Sequence, residues 1–109
     1  MSDDALVLTV SGRVGRLSAP EFFDALREAV VHPNRKIVID LAGVDYMSSA
    51  GVAVLARGVT LAGSTHAAVA VAGLTEPVRL ALDLSGQFGD LVTAPTREAA
   101  LARLRATDT

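Results

Sequence analysis

Two adjacent serines, Ser48 and Ser49, stand in the stretch VDYMSSAGVAVLARG (residues 44–58), where a loop gives way to a helix-forming run. A hydroxyl at such a place can do three kinds of chemistry. It can cap the helix by accepting an orphan N–H of the first turn. It can act as a nucleophile, because Met47 to Gly51 is similar to the G-x-S-x-G elbow of strand–turn–helix junctions. It can carry a phosphate, because the free N–H groups and about half a positive charge at a helix N-terminus accommodate a dianion.

The nucleophile needs a base, and the sequence places both histidines away from it. His32 falls between the first helix and the following strand, and His66 falls after the serines' own helix and before the next strand. Both therefore belong to the opposite rim, and an intervening helix at about 1.5 Å per residue sets Ser49 roughly 20 Å from His66. The first glycine of the elbow is also missing, since Met47 occupies it. Cap and phosphate site remain, and they are compatible. A phosphate added there leaves the fold intact and places nearly two negative charges on an exposed rim.

The other polar clusters carry less. The glycine-led SGRVG (residues 11–15) has neither the lysine and hydroxyl of a P-loop nor the spacing of a dinucleotide fingerprint, so Gly12 and Gly15 are expected to be turn residues. Asp40 is expected to end a strand and Asp45 to shape a turn, rather than to pair as catalytic or metal-binding carboxylates. With no cysteine and two histidines, thiolate and His-cluster metal sites are excluded, and no metal or cofactor is expected.

The elements that must position the serines follow from periodicity. ALVLTV (residues 5–10) has the pattern of a strand, and SGRVG that of a turn leading into a second short strand, together a hairpin. Ser18 and Glu21 have capping-box spacing ahead of a helix whose Phe22, Leu26 and Val30 share one face, ending near His32 and Pro33. KIVIDL (residues 36–41) is the continuous apolar run of a strand covered on both faces. Ser49 to Ala62 is helical, with Val52, Leu55, Ala56 and Val59 inward and Gly63 and Ser64 as the stop. A strand over residues 67–73 follows, then a helix between Thr75 and Gly86, a strand near Leu91 to Thr93, and a last helix capped by Thr96. This alternation predicts an α/β fold with a mixed central sheet of about four to five strands and about four helices, its functional rim at the C-terminal ends of the strands.

A chain of 109 residues, half apolar and with four aromatic residues (three Phe, one Tyr), is expected to form one domain over residues 1–109 with an aliphatic core and no roomy ligand pocket. A formal charge of -2 without a basic stripe argues against nucleic-acid binding. No window is long and apolar enough to insert in a membrane, and the acidic start MSDDALVLTV is not that of a secretory signal, so a cytoplasmic location is expected.

The stretch IVIDLAGVDYMSSAGVAVLARG, together with VSGRVGRLSAPEFFDAL before it and EAALARL near the end, resembles the STAS domain family over almost the whole chain. In stand-alone bacterial members the resemblance implies a non-enzymatic anti-sigma factor antagonist. Its implied partner is an anti-sigma factor that is a serine kinase of histidine-kinase-like ATPase fold, with a PP2C-type phosphatase reversing the modification. The phosphoacceptor carried over by position is Ser49, two before Gly51, with Ser48 as second choice. The implied partner surface comprises Ser48, Ser49, Ala50, Gly51 and Val52 with Gly12, Arg13 and Gly15. Family acids before the acceptor and in the second-strand motif are replaced here by Ser48 and Gly15, which removes negative charge and makes a phosphate electrostatically easier to add. Two other functions fit the same residues: an adaptor that is not phosphorylated, stressosome-like or a subunit of a lipid-transport ATPase, and a nucleotide or small-ligand sensor.

Overall fold

The computed structural model describes residues 5–106. Strands and helices alternate as β1 (Ala5–Val14), α1 (Ala19–Val30), β2 (Lys36–Met47), α2 (Ser49–Thr65), β3 (Ala68–Ala72), α3 (Glu76–Ser85), β4 (Val92–Ala94) and α4 (Arg97–Ala106). The four strands form one sheet in the order β1-β2-β3-β4, and every neighbouring pair is parallel. The expected α/β class and about four helices are present, and among the described residues the strands number four, the lower end of the expected four to five.

One expectation about the sheet is corrected. SGRVG does not double back into a hairpin, so the sheet of the described residues is parallel rather than mixed. Gly12 takes φ +86°, and the β1–β2 register slips between Thr9 and Ser11 and again between Gly12 and Arg13. A bulge absorbs what looked like a turn, and the strand continues to Val14. β2 likewise runs on to Met47, so Asp40 lies within the strand and Asp45 is a strand residue. Beyond Asp40 and its partner Ala72 only β1 and β2 remain paired, and they form a two-stranded arm that carries the start of α2 at its tip.

The core divides along the pleat of β2. Ile37, Ile39 and Leu41 point to one face and join Phe22, Leu26 and Val30 of α1, Val52 and Leu55 of α2, and Val78 and Leu82 of α3. Val38 points to the other face, where it joins Ala70, Ala72, Ala94, Ala100 and Leu104 beneath α4. Alternation across a strand of period 2 thus explains a run that is apolar at every position.

The helix ends differ from expectation in two places. Ser18 stands before α1 in helical conformation and makes no side-chain cap; its hydroxyl accepts the Gly15 N–H at 3.0 Å and closes the preceding loop instead. Gly63 and Ser64 do not stop α2, which runs to Thr65 and ends at His66 in the left-handed region at φ 61°. The Thr65 hydroxyl donates to the Val30 carbonyl at 2.6 Å, tying the ends of α1 and α2 together. Gly86 closes α3 in the left-handed region as its sequence implies.

Candidate functional site

The tip of the arm is assembled from backbone first. Ser48 is extended, with φ -78° and ψ 173°, and its N–H donates to the Val14 carbonyl at 2.8 Å, joining the end of β1 to the start of α2. Its carbonyl accepts the Val52 N–H at 2.9 Å, and its hydroxyl accepts the Gly51 N–H at a long 3.4 Å. Ser48 is therefore the cap and is half-buried, whereas Ser49 is the first helical residue and is exposed. The first turn of α2 contains no acidic residue.

Gly51 is set by close approach. A Cβ built there would lie 2.7 Å from Met47 Cγ, 2.8 Å from Val14 Cγ1 and 3.1 Å from the Val14 carbonyl. Any larger residue would push α2 off the ends of both strands, which gives the Ser-x-Gly spacing a structural reason. Gly51 and Val52 are buried, so of the five nominated residues Ser49 is exposed, Ser48 and Ala50 are half-buried, and the last two support the surface from inside.

The two nominated segments meet at this tip. Arg13, Gly15 and Ser48 line one open depression together with Arg16, Leu17, Ser18 and Tyr46, while Gly12 is exposed at the bulge beside it. Arg13 and Tyr46 are register partners across β1 and β2, and the guanidinium carbon sits 4.5 Å from the ring centroid, a cation–π contact that orients it. Leu17 is 91% exposed beside two arginines. Arg16, Leu17 and Tyr46 were not anticipated from sequence. Tyr46 needed the strand register to be found, but Leu17 left a signal, an apolar residue out of phase with the Phe22–Leu26–Val30 face of the helix that follows it.

Of the two carboxylates before the serines, Asp45 is exposed and Asp40 is used internally. The buried Asp40 carboxylate accepts the Ala42 N–H at 3.0 Å through Oδ1, and Arg97 donates to Oδ2 from Nε at 3.0 Å and Nη2 at 2.7 Å. The Ala42 N–H, and after it the Arg97 guanidinium, hold this carboxyl below the usual carboxylate range against the opposing effect of burial. Arg97 Nη2 also reaches Thr9 Oγ1 at 3.3 Å. Among the described residues no group of three or more His, Asp or Glu could hold a metal ion. His66 caps the far end of the 17-residue α2, about 25 Å along the helix from Ser49, and no imidazole stands near either serine. No helix among the described residues is long and apolar enough to cross a membrane.

Comparison with known proteins gives this arrangement a context. A family model described as Mlab, STAS domain, matches residues 1–93. Among solved structures, an anti-sigma factor antagonist from Mycobacterium paratuberculosis is 27% identical, with 96% of this chain and 89% of that chain covered and a TM-score of 0.83. The anti-sigma factor antagonist SpoIIAA in its unphosphorylated form is 16% identical over 96% of this chain and 93% of that one, with a TM-score of 0.71. The STAS domain of a SulP transporter from Vibrio cholerae is 18% identical over 98% and 85%, with a TM-score of 0.74, and shares the fold. No curated protein matches the chain.

Proposed function

Because the chain belongs to the STAS domain family, we propose that it is an anti-sigma factor antagonist that works by partner switching. The observation that carries this reading is Ser49 itself, exposed as the first residue of α2 and next to a depression lined by Arg13, Arg16 and Leu17. In the unphosphorylated state that surface offers a partner two cations and an apolar anchor, the composition that favours docking of an acidic and apolar counterpart. The partner is an anti-sigma factor with serine kinase activity and a histidine-kinase-like ATPase fold, and both act in the cytoplasm.

Phosphorylation of Ser49 adds a dianion that the N-terminus of α2 tolerates but the interface does not. It offsets the two arginines and must be desolvated on docking, which weakens binding about a hundredfold for a penalty of about 2.7 kcal/mol. A PP2C-type phosphatase restores the binding form. The relatives described as anti-sigma factor antagonists, one of them specified as unphosphorylated, support this reading. Incubation with ATP and an anti-sigma factor kinase from the same organism, followed by mass spectrometry, is expected to place one phosphate on Ser49 and none on Ser49→Ala; label that persists in that variant refutes the site.

The Mlab description of the matching family model favours a second reading, an adaptor that uses the same rim without phosphorylation. Such an adaptor binds its partner equally well with Ser, Ala or Asp at position 49, whereas partner switching requires the Asp variant to bind more weakly.

A further inference from the structure

The two edges of the sheet are treated differently. β4 is three residues long, and its Thr93 carbonyl is taken by the Arg103 guanidinium of α4. β1 is ten residues long, and among the described residues no strand pairs with its outer side. Edges of that length are ordinarily blunted by charges, prolines or a covering element, since their free N–H and C=O groups template another strand. From Ala5 to Thr9, ahead of the first bulge, this edge contains no charge and no proline. Alongside it runs a groove of about 260 Å³ between β1 and α1, whose lining includes Leu8, Val10, Phe22 and Ala25.

We propose that the free edge of β1 pairs antiparallel with β1 of a second copy of this chain, joining two four-stranded sheets into one of eight strands. The occupant of this edge must be an extended segment with apolar side chains at alternate positions on the α1 side and small or polar ones on the other. β1 has that pattern itself: Leu6, Leu8 and Val10 are half-buried toward the core, and Ala5, Val7 and Thr9 are exposed on the opposite face. A two-fold axis therefore brings each strand the partner that its own groove fits, and an uncharged segment meets its image without opposing like charges. The Ser49 rim lies at the start of α2 on the arm, and although Arg13 and Ser18 line both the groove and the rim depression, the pairing of the Ala5–Val10 segment does not depend on the partner-switching reading.

Because the chain has no cysteine, single thiols report the pairing directly. Ala5→Cys, Val7→Cys and Thr9→Cys are made separately and oxidised mildly, with Leu84→Cys, 86% exposed on α3, as the control. At least one β1 variant is expected to form a covalent dimer while the control does not. Sedimentation of the unaltered protein over a concentration series is expected to show a monomer–dimer equilibrium, and Val7→Lys to weaken it at least about tenfold by opposing like charges across the pair. Circular dichroism checks that the lysine variant is folded, and the thiol series decides the matter if it is not. A protein that remains monomeric at every concentration, or that cross-links only through Leu84→Cys, overturns the proposal.

Discussion

The starts of α2 and α4 lie on the same rim of the sheet and are held in opposite ways. α4 is fastened by side chains: Arg97 reaches back to Asp40 and Thr9, and Thr96 Oγ1 accepts the Ala99 N–H at 3.1 Å. α2 is fastened by backbone and close packing, through the Ser48 N–H on Val14 and the bare Cα of Gly51. At α4 the arginine is neutralised within the molecule by the Asp40 carboxylate. At α2 the arginines 13 and 16 point to an open depression and the serines keep their hydroxyls near the surface. One rim therefore holds both a closed junction and an open one, and the open one is where a change in surface charge can be read by another protein.

The largest expected effect comes from charging the open junction. Ser49→Glu is expected to weaken binding of the anti-sigma partner about a hundredfold in calorimetry, with folding stability unchanged within about 0.5 kcal/mol, because an acid at the first helical position suits the helix dipole. Equal partner affinity for the two forms would erase the functional side of the contrast. Next, Gly51→Val attacks the packing that replaces side-chain fastening there. Two side chains and a carbonyl already lie within 3.1 Å of a new Cβ, so urea unfolding is expected to show a loss of about 1–3 kcal/mol.

At the closed junction, Arg97→Met is expected to destabilise the protein by about 1–2 kcal/mol near neutral pH, since it leaves a buried carboxylate with one N–H partner. The pH dependence has a definite sign. Asp40 titrates below its unfolded value, so the folded state binds fewer protons, and the stabilisation is present above the unfolded carboxylate range. It is lost as pH falls through the lowered folded value. Unfolding measured from pH 7 down to 3 is expected to show this acid loss in the unaltered protein and a shallower one in Arg97→Met. The smallest effect is at the anchor: Leu17→Ser is expected to weaken partner binding about tenfold and leave the melting temperature in place.

How far these features were legible depends on whether their cause is local. The apolar run of Lys36–Leu41, the Phe22–Leu26–Val30 stripe and the left-handed Gly86 follow from neighbours in sequence, and the elements they predict are present. SGRVG misled because a glycine with positive φ serves a turn and a bulge equally, and the choice is made by β2 running alongside for its full length. Ser18 had the spacing of a capping box, yet a closer donor, the Gly15 N–H, took its oxygen. Asp40 looked like a strand end because its partner is 57 residues away. At the candidate site, the serines and Arg13 were visible as residue types, whereas Tyr46 and Arg16 became part of it only when two strands and a loop converged.

The separation between Asp40 and Arg97 also sets an order in time. At synthesis rates of about 5–20 residues per second, the 57 residues between them take roughly 3–11 s to emerge. During that interval β1 and β2 can already pair while the back of the sheet, with Val38 and the Asp40 carboxylate, has no α4 to cover it. The nascent chain thus presents a half-covered sheet until its last helix arrives.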